Sequence, residues 1–331
     1  MNVLVYEYFS GGGAERTFNA GNLDNLGWAM LHACIEDCLA ADHQVCTLVD
    51  RRLQGNLPAA CAVQSVSPGQ SLSAFKDMMS EVDAVLPIAP ETNGILSNLT
   101  SLVEQSGRLL LGSTTQATRI AGDKFASYLT LMSHGCKLPE TALWPVPLEK
   151  LPAPGPWILK PRSGAGCEGI YLTASPDTFD IPNGEYIIQE YVPGVAASVA
   201  MIAGKSCNTI LSVNLQKMVF DPAPHYKGGA IPLVHSMSKA ARSCAGIVAR
   251  AIPGLRGYVG IDMVLTPCEV YVIEVNPRIT FTYCGLRRIT SQNLMKAIIE
   301  VSLGFDIQDE ISVTGSVQFD DLGRIREGPD A

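Results

Sequence analysis

Two acidic residues and one amide residue interrupt a pair of apolar segments late in the chain. Asp262 lies within residues 259–265. Glu274 lies near the end of the next segment, residues 270–275, and Asn276 directly follows that segment. Both segments are rich in Val, Ile and Tyr, which predicts two strands joined as a hairpin. Because side chains two apart on a strand share a face, Glu274 and Asn276 should project together beside Asp262. Such oxygen ligands suit Mg²⁺.

The alternative is an ordinary hairpin with solvated polar residues, which is what isolated acids on strands usually indicate. Here the carboxylates interrupt otherwise apolar strands, where an unpaired charge is costly. A metal or another cation is therefore expected beside them. Arg278 follows the second strand and could reach a group that the metal holds.

A lysine directly precedes a glycine-rich segment in the middle of the chain. Lys160 ends the predicted strand 157–160, and Gly164, Gly166 and Gly169 follow it. Glycines let backbone N–H groups approach phosphates, although the order of residues is not that of a P-loop. A glycine-rich hairpin turn is the alternative, and the lysine immediately before the loop makes it less favoured.

Two further segments could contact a nucleotide. Lys124 is predicted in the first turn of a helix that begins near Asp123, where the helix dipole disfavours a cation without an anionic partner. The apolar strand that ends with residues 189–192 stops at a Pro-Gly pair and could offer backbone groups to a flat base. A solvated lysine and an ordinary strand and turn remain the alternatives.

The composition is that of a folded, acidic protein. The chain has 331 residues, 47% hydrophobic and 17% charged, with a formal net charge of −8. This charge argues against general binding to nucleic acid or anionic membranes. No segment approaches the roughly 18 apolar residues of a membrane span, and the first residues lack a signal-peptide pattern. The ten scattered cysteines favour a reducing cytoplasm, and the five histidines lack zinc-ligand spacing.

Strand and helix patterns alternate over the first 113 residues, which predicts an α/β fold with a parallel sheet. Ser10, Gly11 and Gly12 follow its first strand, without the spacing of a dinucleotide-binding loop, so a dehydrogenase is not favoured. They form either a flexible turn or a substrate loop at the sheet edge where ligands bind. We expect four parts, with α+β character towards the end: an N-terminal domain 1–113, a subdomain with the glycine-rich loop 114–192, a subdomain with the metal site 193–308 and a polar tail 309–331.

The joint order of these motifs resembles the ATP-grasp superfamily over about residues 114–305, and the unit before it is similar to the Rossmann-like pre-ATP-grasp domain. The resemblance implies an ADP-forming ligase that joins a carboxylate to an amine through an acyl phosphate. It implies that ATP is bound by Lys124, Lys160, Ser163, Gly164, Gly166, Glu168, Gly169, Gln189, Glu190, Tyr191 and Val192. Asp262, Glu274 and Asn276 would hold two Mg²⁺ ions, for which Mn²⁺ could substitute, and Arg278 and Lys160 would act in catalysis.

One departure concerns the ribose, because residues 195–198 lack the acidic residue that the superfamily commonly has after the hinge glycine. Within the superfamily, the segments EYFSGGG, YKGGAIP and NPRITFTYCGLRR are most similar to tyramine–glutamate ligases of methanofuran-type cofactor synthesis. This implies small-molecule partners, glutamate and tyramine or a related amine, and a homodimer remains open. Ser10, Gly11, Gly12, Arg287 and Arg288 are candidates for binding the charged groups of the acid, with a plain turn and surface charge as the alternatives.

Two other functions stay open at this point. The chain could be another amino-acid or peptide ligase of the same superfamily, or a non-catalytic ATP-binding protein with the same fold. The complete set of Asp262, Glu274 and Asn276 favours an enzyme, because a non-catalytic protein need not keep all three.

Overall fold

The computed structural model describes most of the chain: residues 1–14, 22–53, 55–67, 69–152, 154–176, 185–220, 223–307 and 310–328. The described residues form three β-sheets with covering helices. Among the described residues, no helix is both long enough and apolar enough to cross a membrane.

The first sheet is parallel, with its five strands in the order β3-β2-β1-β4-β5. Its central strands are apolar and buried on both faces because helices cover the sheet, as parallel sheets require. The predicted parallel α/β unit is confirmed. Its elements are β1 Asn2–Glu7, α1 Asn22–Ala40, β2 Gln44–Asp50, β3 Cys61–Val66, α2 Ser71–Ser80, β4 Ala84–Ile88, α3 Ile95–Ser106 and β5 Leu109–Leu110.

The second sheet is small and antiparallel, with the order β6-β9-β7-β8. The glycine-rich segment connects β7 with β8, and two helices precede the sheet in the chain. The elements are α4 Thr115–Gly122, α5 Lys124–Ser133, β6 Thr141–Trp144, β7 Trp157–Pro161, β8 Tyr171–Thr173 and β9 Tyr186–Glu190.

The third sheet is the largest, with the order β14-β13-β10-β11-β12-β15-β16 and antiparallel pairing throughout. The predicted hairpin is present as β13 and β14. The elements are β10 Val195–Ala203, β11 Asn208–Phe220, β12 Pro224–Ile231, α6 Ser238–Ala251, β13 Gly257–Leu265, β14 Val270–Asn276, α7 Thr282–Ile289, α8 Leu294–Ser302, β15 Ser316–Asp320 and β16 Ile325–Gly328.

The end of the chain differs from the expected polar tail, of which residues 309 and 329–331 lie outside the described residues. β15 pairs with β12 and extends the large sheet. Gly228 has φ +106°, and a Cβ atom there would overlap the carbonyl oxygen of Phe319. A Cβ atom at Gly229 would overlap the carbonyl oxygen of Leu215. Gly228 therefore lets β15 approach β12 closely, and Gly229 lets β11 approach it on the other side.

A second difference concerns residues 279–288: the sequence after the hairpin predicts a loop that ends in two arginines, but the segment largely forms α7. The helix is anchored to α1 through a buried ionic cluster. Arg287 donates to Asp37 Oδ1 from Nε at 2.9 Å and from Nη2 at 2.6 Å, and the Tyr283 hydroxyl donates to Asp37 Oδ2. This cluster joins the first unit of the chain to the last.

We expect Asp37→Ala to destabilise the protein, because it leaves the guanidinium of Arg287 without its main partner. Loss of one member of a buried ion pair typically costs about 3 kcal/mol of unfolding free energy. Urea unfolding followed by circular dichroism measures it. Asp77→Ala, an exposed position on α2, is the control and should change the unfolding free energy by under about 0.5 kcal/mol. Equal midpoints for the two variants would contradict the anchoring role.

Candidate active site

One face of the large sheet forms the floor of the candidate site. Ala196, Ser198 and Ala200 alternate along β10, so they project from the same face. In the pairing of β10 with β13, Ser198 is opposite Asp262 and Ala200 is opposite Gly260. The acidic residue therefore lies in the middle of a floor otherwise made of small side chains.

Asp262 and Glu274 are opposite each other in the pairing of β13 with β14. Asp262 accepts hydrogen bonds from Gln216 Nε2 at 2.7 Å and from Asn276 Nδ2 at 3.0 Å. Burial and, after it, the charge of Glu274 nevertheless raise the pKa of Asp262 to about 6. The charge of Arg278 lowers the pKa of Asp262 too weakly to offset these two effects.

Glu274 is compensated by lysines. Lys124 Nζ lies 2.9 Å from Glu274 Oε1 and donates to the carbonyl oxygen of Gly164 at 2.8 Å. Burial alone would raise the pKa of Glu274, but Lys124 and Lys160 lower it below its ordinary value. Glu274 is therefore the anionic partner that the position of Lys124 predicted, and Lys124 ties the sheet to the glycine-rich segment.

Lys124 is positioned by the start of α5. The carboxylate of Asp123 caps this helix, accepting the backbone N–H groups of Phe125 and Ala126 at 3.0 Å each. The same carboxylate pairs with Arg162, just after β7, at 2.6 Å. The first turn of α5 is thus fixed against the strand that carries Lys160.

Lys160 is buried, with 3% of its surface exposed. Its ammonium donates to Gln189 Oε1 at 2.8 Å, and Gln189 Nε2 in turn donates to Thr141 Oγ1 at 2.9 Å. Burial lowers the pKa of Lys160 to about 8, although Glu274 acts in the opposite direction. A buried ammonium beside a cavity is a group that suits an anionic ligand.

The glycine-rich segment is conformationally unusual. Gly166 and Gly169 have φ +75° and +70°, and Cys167 between them has φ +65°, a region that residues with side chains rarely adopt. The left-handed backbone at these positions explains the need for glycine on either side of Cys167.

The larger of two cavities above the sheet floor has a volume of about 700 Å³. The backbone N–H of Tyr191 already donates to the carbonyl oxygen of Pro156 at 3.1 Å. At the predicted hinge, the backbone groups of Val192 are therefore better candidates for contacting a flat base. Ser163 does not line this cavity. The predicted residues that do are Lys124, Lys160, Gly164, Gly166, Glu168, Gly169, Gln189, Glu190, Tyr191, Val192, Asp262, Glu274 and Asn276.

A second cavity of about 530 Å³ adjoins the first. Asp262, Asn276 and Gln216 line both cavities, so the two meet at the acidic centre. Arg278 lines the second cavity only. The second cavity is bounded on one side by the ends of β1 and β4, so the N-terminal unit takes part in it.

Arg278 is held by a residue of the N-terminal unit. Its Nε and Nη2 atoms donate to the two carboxylate oxygens of Glu91 at 2.9 and 3.0 Å. Both side chains are largely buried, and Nη2 also lies 3.5 Å from Asn276 Oδ1. This bidentate pair fixes the guanidinium plane next to the metal-site candidates.

Ser10, Gly11 and Gly12 do not form the predicted substrate loop. The N–H of Ser10 donates to the Glu7 carboxylate at 2.7 Å, that of Gly11 to the Glu7 carbonyl oxygen at 2.7 Å, and that of Gly12 to Phe9 at 3.2 Å. These amides are satisfied within the turn, and the three residues line neither cavity. Glu7 and Phe9 line the second cavity instead.

Arg287 and Arg288 also lie away from both cavities, which corrects their predicted role as substrate ligands. Arg287 binds Asp37, and Arg288 lies 3.4 Å from Glu327 at the surface. Helix formation over residues 282–289 turns both guanidinium groups towards these carboxylates.

Sequence reasoning assigned no role to Gln216, and it placed Glu91, with Glu7 and Ser10, only at the strand ends where a substrate could bind, without naming a partner for it. Gln216 is a polar residue in a strand-like run, the same signal that singled out Asp262. Glu91 follows a buried strand of a parallel sheet, where functional side chains concentrate, but no local pattern links it to Arg278.

The donor set at the acidic centre fits a divalent cation. Within the described residues, no three His, Cys, Asp or Glu side chains converge as a metal site. The candidate ligands are therefore two carboxylates and one amide, a set that suits Mg²⁺ when water and phosphate oxygens complete the shell. A cation bound beside Asp262 would stabilise its ionised carboxylate and so lower its raised pKa.

Two family models match the chain: an ATP-grasp domain over residues 121–282 and a pre ATP-grasp 3 domain over residues 43–118. The chain is similar to tyramine–L-glutamate ligase from Methanocaldococcus fervens, with 32% identity over 220 residues, 66% of each protein. It is also similar to tyramine–L-glutamate ligase from Methanocaldococcus jannaschii, with 31% identity over 219 residues, 66% of this chain and 62% of the relative. The chain thus spans slightly less than two thirds of the length of these relatives.

The fold is shared with an ATP-grasp superfamily protein from Archaeoglobus fulgidus, whose crystal structure gives a TM-score of 0.74 at 22% identity. The comparison covers 96% of this chain and 91% of that chain. It includes the parallel first sheet as well as the two antiparallel sheets that enclose the larger cavity. This likeness shows the shared fold, and the two domain matches, over residues 43–118 and 121–282, show that the chain belongs to the ATP-grasp family.

Proposed function

We propose that the protein is an ATP-dependent carboxylate–amine ligase that releases ADP and orthophosphate. The observation that carries this proposal is the convergence of Lys124, Lys160, Asp262 and Glu274 on one cavity of about 700 Å³. Two ammonium groups suit the phosphates of ATP, and two carboxylates suit the cation that accompanies them. A non-catalytic nucleotide-binding protein would need only part of this set.

The reaction would proceed in two steps. A carboxylate oxygen of the acid attacks the γ-phosphorus of ATP, the bond to the β-phosphate oxygen breaks, and ADP leaves. The resulting acyl phosphate carries a good leaving group, so an amine can then form the amide with release of orthophosphate. Lys124 and Lys160 would neutralise charge on the transferring phosphoryl group throughout the first step.

Asp262, Glu274 and Asn276 would hold Mg²⁺, and we propose two ions, as in the expectation from sequence. A bound metal ion would neutralise part of the negative charge on the phosphates. The three side chains share one face of a rigid strand pair, so their oxygens are arranged before the nucleotide binds.

The substrates that we propose are glutamate as the activated acid and tyramine or a related amine as the acceptor. The support is that two relatives with 31–32% identity bear the name tyramine–L-glutamate ligase. We also propose a cytoplasmic location, since all ten cysteines are free thiols.

A product screen tests the reaction class. ATP, Mg²⁺ and glutamate are combined with a panel of amines, and nucleotide and phosphate products are separated by chromatography. We expect ADP and orthophosphate in equal amounts, dependent on both acid and amine. AMP and pyrophosphate would instead indicate an adenylate intermediate, and no acid-dependent turnover with any amine would favour the non-catalytic alternative.

We expect Glu274→Gln to lower kcat by about 10³-fold, because the neutral amide no longer balances a cation between the strands. The substitution keeps the size of the side chain, so the protein should stay folded, but the thermal midpoint should fall because buried Lys124 loses its charged partner. Glu269→Gln, at the exposed turn of the same hairpin, is the matched control and should retain parent activity. If the Glu274→Gln variant turns over at nearly the parent rate at low Mg²⁺, Glu274 is not a metal ligand.

Arg278 would orient the acid or the phosphoryl group, and Glu91 would act through Arg278 as a positioning residue. The basis is the bidentate pair at 2.9 and 3.0 Å together with the location of Arg278 beside Asn276. Because Arg278 lines the second cavity and not the larger one, its displacement should affect turnover more than nucleotide binding.

We therefore expect Glu91→Gln to lower kcat roughly 10- to 100-fold with little change in the KM for ATP, since a charged hydrogen-bond partner is lost. Steady-state kinetics measure both constants. Combined with Arg278→Lys, the change at Glu91 should add almost nothing, because the two residues act as a unit. Additive losses in the double variant would show that Glu91 acts independently of Arg278.

A further inference from the structure

We propose that the second cavity is the acceptor site and that it selects amines with a flat apolar body. This inference rests on the proposed ligase function. It assigns a part of the molecule that neither the nucleotide nor the metal would occupy, and it gives the N-terminal unit a direct part in substrate choice.

The walls of the second cavity are mainly apolar. Side chains from the N-terminal unit form one wall, and one aromatic residue of the C-terminal unit faces it. The residues concerned are Tyr8, Phe9, Met30, Ile88, Ile95 and Phe281. The rings of Tyr8 and Phe9 pack edge to face, with centroids 5.4 Å apart. Such walls stabilise a ligand through buried apolar area, which an aromatic amine offers and a small polar amine does not.

The floor of the same cavity is made of small residues. Ser198, Ala200 and Gly260 come from neighbouring positions of β10 and β13 and leave the space above them open. A Cβ atom at Gly260 would lie only 2.8 Å from Thr280 Cγ2, so Thr280 packs against this end of the floor and the open space lies above Ser198 and Ala200. A volume of about 530 Å³ falls in the range of small-molecule sites.

The positions of the two cavities determine which substrate binds in which cavity. The nucleotide takes the larger cavity, with its phosphates towards Lys124 and Lys160. The acid must then lie where the cavities meet, beside Asp262, Asn276 and Arg278, to reach the γ-phosphoryl group. The face of the acyl carbon that the nucleotide does not cover would then be turned towards the second cavity.

The acceptor step balances with these groups. The amine, neutral after one proton has passed to water, attacks the acyl carbon and forms the C–N bond. The C–O bond to phosphate breaks, and phosphate leaves with the electron pair and takes up the second proton of the nitrogen. Apolar walls favour this step over hydrolysis because they exclude water from the acyl phosphate.

Hydroxylamine separates the two steps, because it is small enough to trap an acyl phosphate without using an apolar pocket. The assay contains ATP, Mg²⁺ and glutamate with either tyramine or hydroxylamine, and the amide and the hydroxamate are quantified by mass spectrometry. Ile95→Trp fills the cavity from the N-terminal wall, and Ala200→Leu fills it from the floor. Asn98→Trp, on the exposed face of the helix that carries Ile95, is the matched control.

We expect the ratio of amide to hydroxamate to fall roughly 10- to 100-fold in each filled variant, the equivalent of losing the burial of one aromatic side chain. Asn98→Trp should keep the parent ratio. In the parent, tyramine should exceed ethylamine at least about 10-fold in kcat/KM for the same reason. The two variants fill the cavity from opposite sides, so the test still works if one of them misfolds. Thermal unfolding shows whether each variant is folded.

An unchanged ratio in both folded variants would overturn the assignment, as would equal use of ethylamine and tyramine by the parent. A parallel loss of amide and hydroxamate would also overturn it, because the cavity would then serve activation and not acceptance. Absence of hydroxamate in the parent points elsewhere: it would refute the acyl-phosphate mechanism of the proposed function itself.

Discussion

Two carboxylates face each other across neighbouring strands of the large sheet, and like charges so placed stay ionised only when cations lie beside them. Lys124 and Lys160 meet this requirement for Glu274, while Asp262 keeps a raised pKa. The rest of the centre follows from this imbalance. The capped start of α5 brings Lys124 to the sheet, the small sheet brings Lys160, and Asp262 faces both cavities.

Much of this centre follows from local sequence. Glu274 and Asn276 were predicted on one face because of the period of two along a strand, and a hairpin was expected to bring Asp262 beside them. The pair of Glu91 with Arg278 could not be predicted in the same way, because it joins residues 187 positions apart and depends on how two units dock. Periodicity constrains neighbours along an element, whereas contacts between units need the three-dimensional arrangement.

The parts of the fold that sequence misjudged have a common physical cause. Residues 282–289 include poor helix formers and have no side-chain N-cap, so propensity argues against a helix. Burial of Tyr283 and Leu286 overrides that propensity. The strands β15 and β16 are short and polar, and they become strands because Gly228 leaves room beside β12. In each case tertiary packing decides the local structure.

The ionic cluster between α1 and α7 has a consequence for the order in which the molecule forms. Asp37 and Arg287 are 250 positions apart, and contacts of such separation form late because chain closure must come first. Units of this size generally fold by themselves and dock afterwards. The larger cavity is built mostly within residues 124–276, whereas the second cavity needs the N-terminal unit in place. Hydrogen-exchange labelling during refolding would record this order, in which the larger cavity, proposed for the nucleotide, forms before the second cavity, proposed for the acceptor.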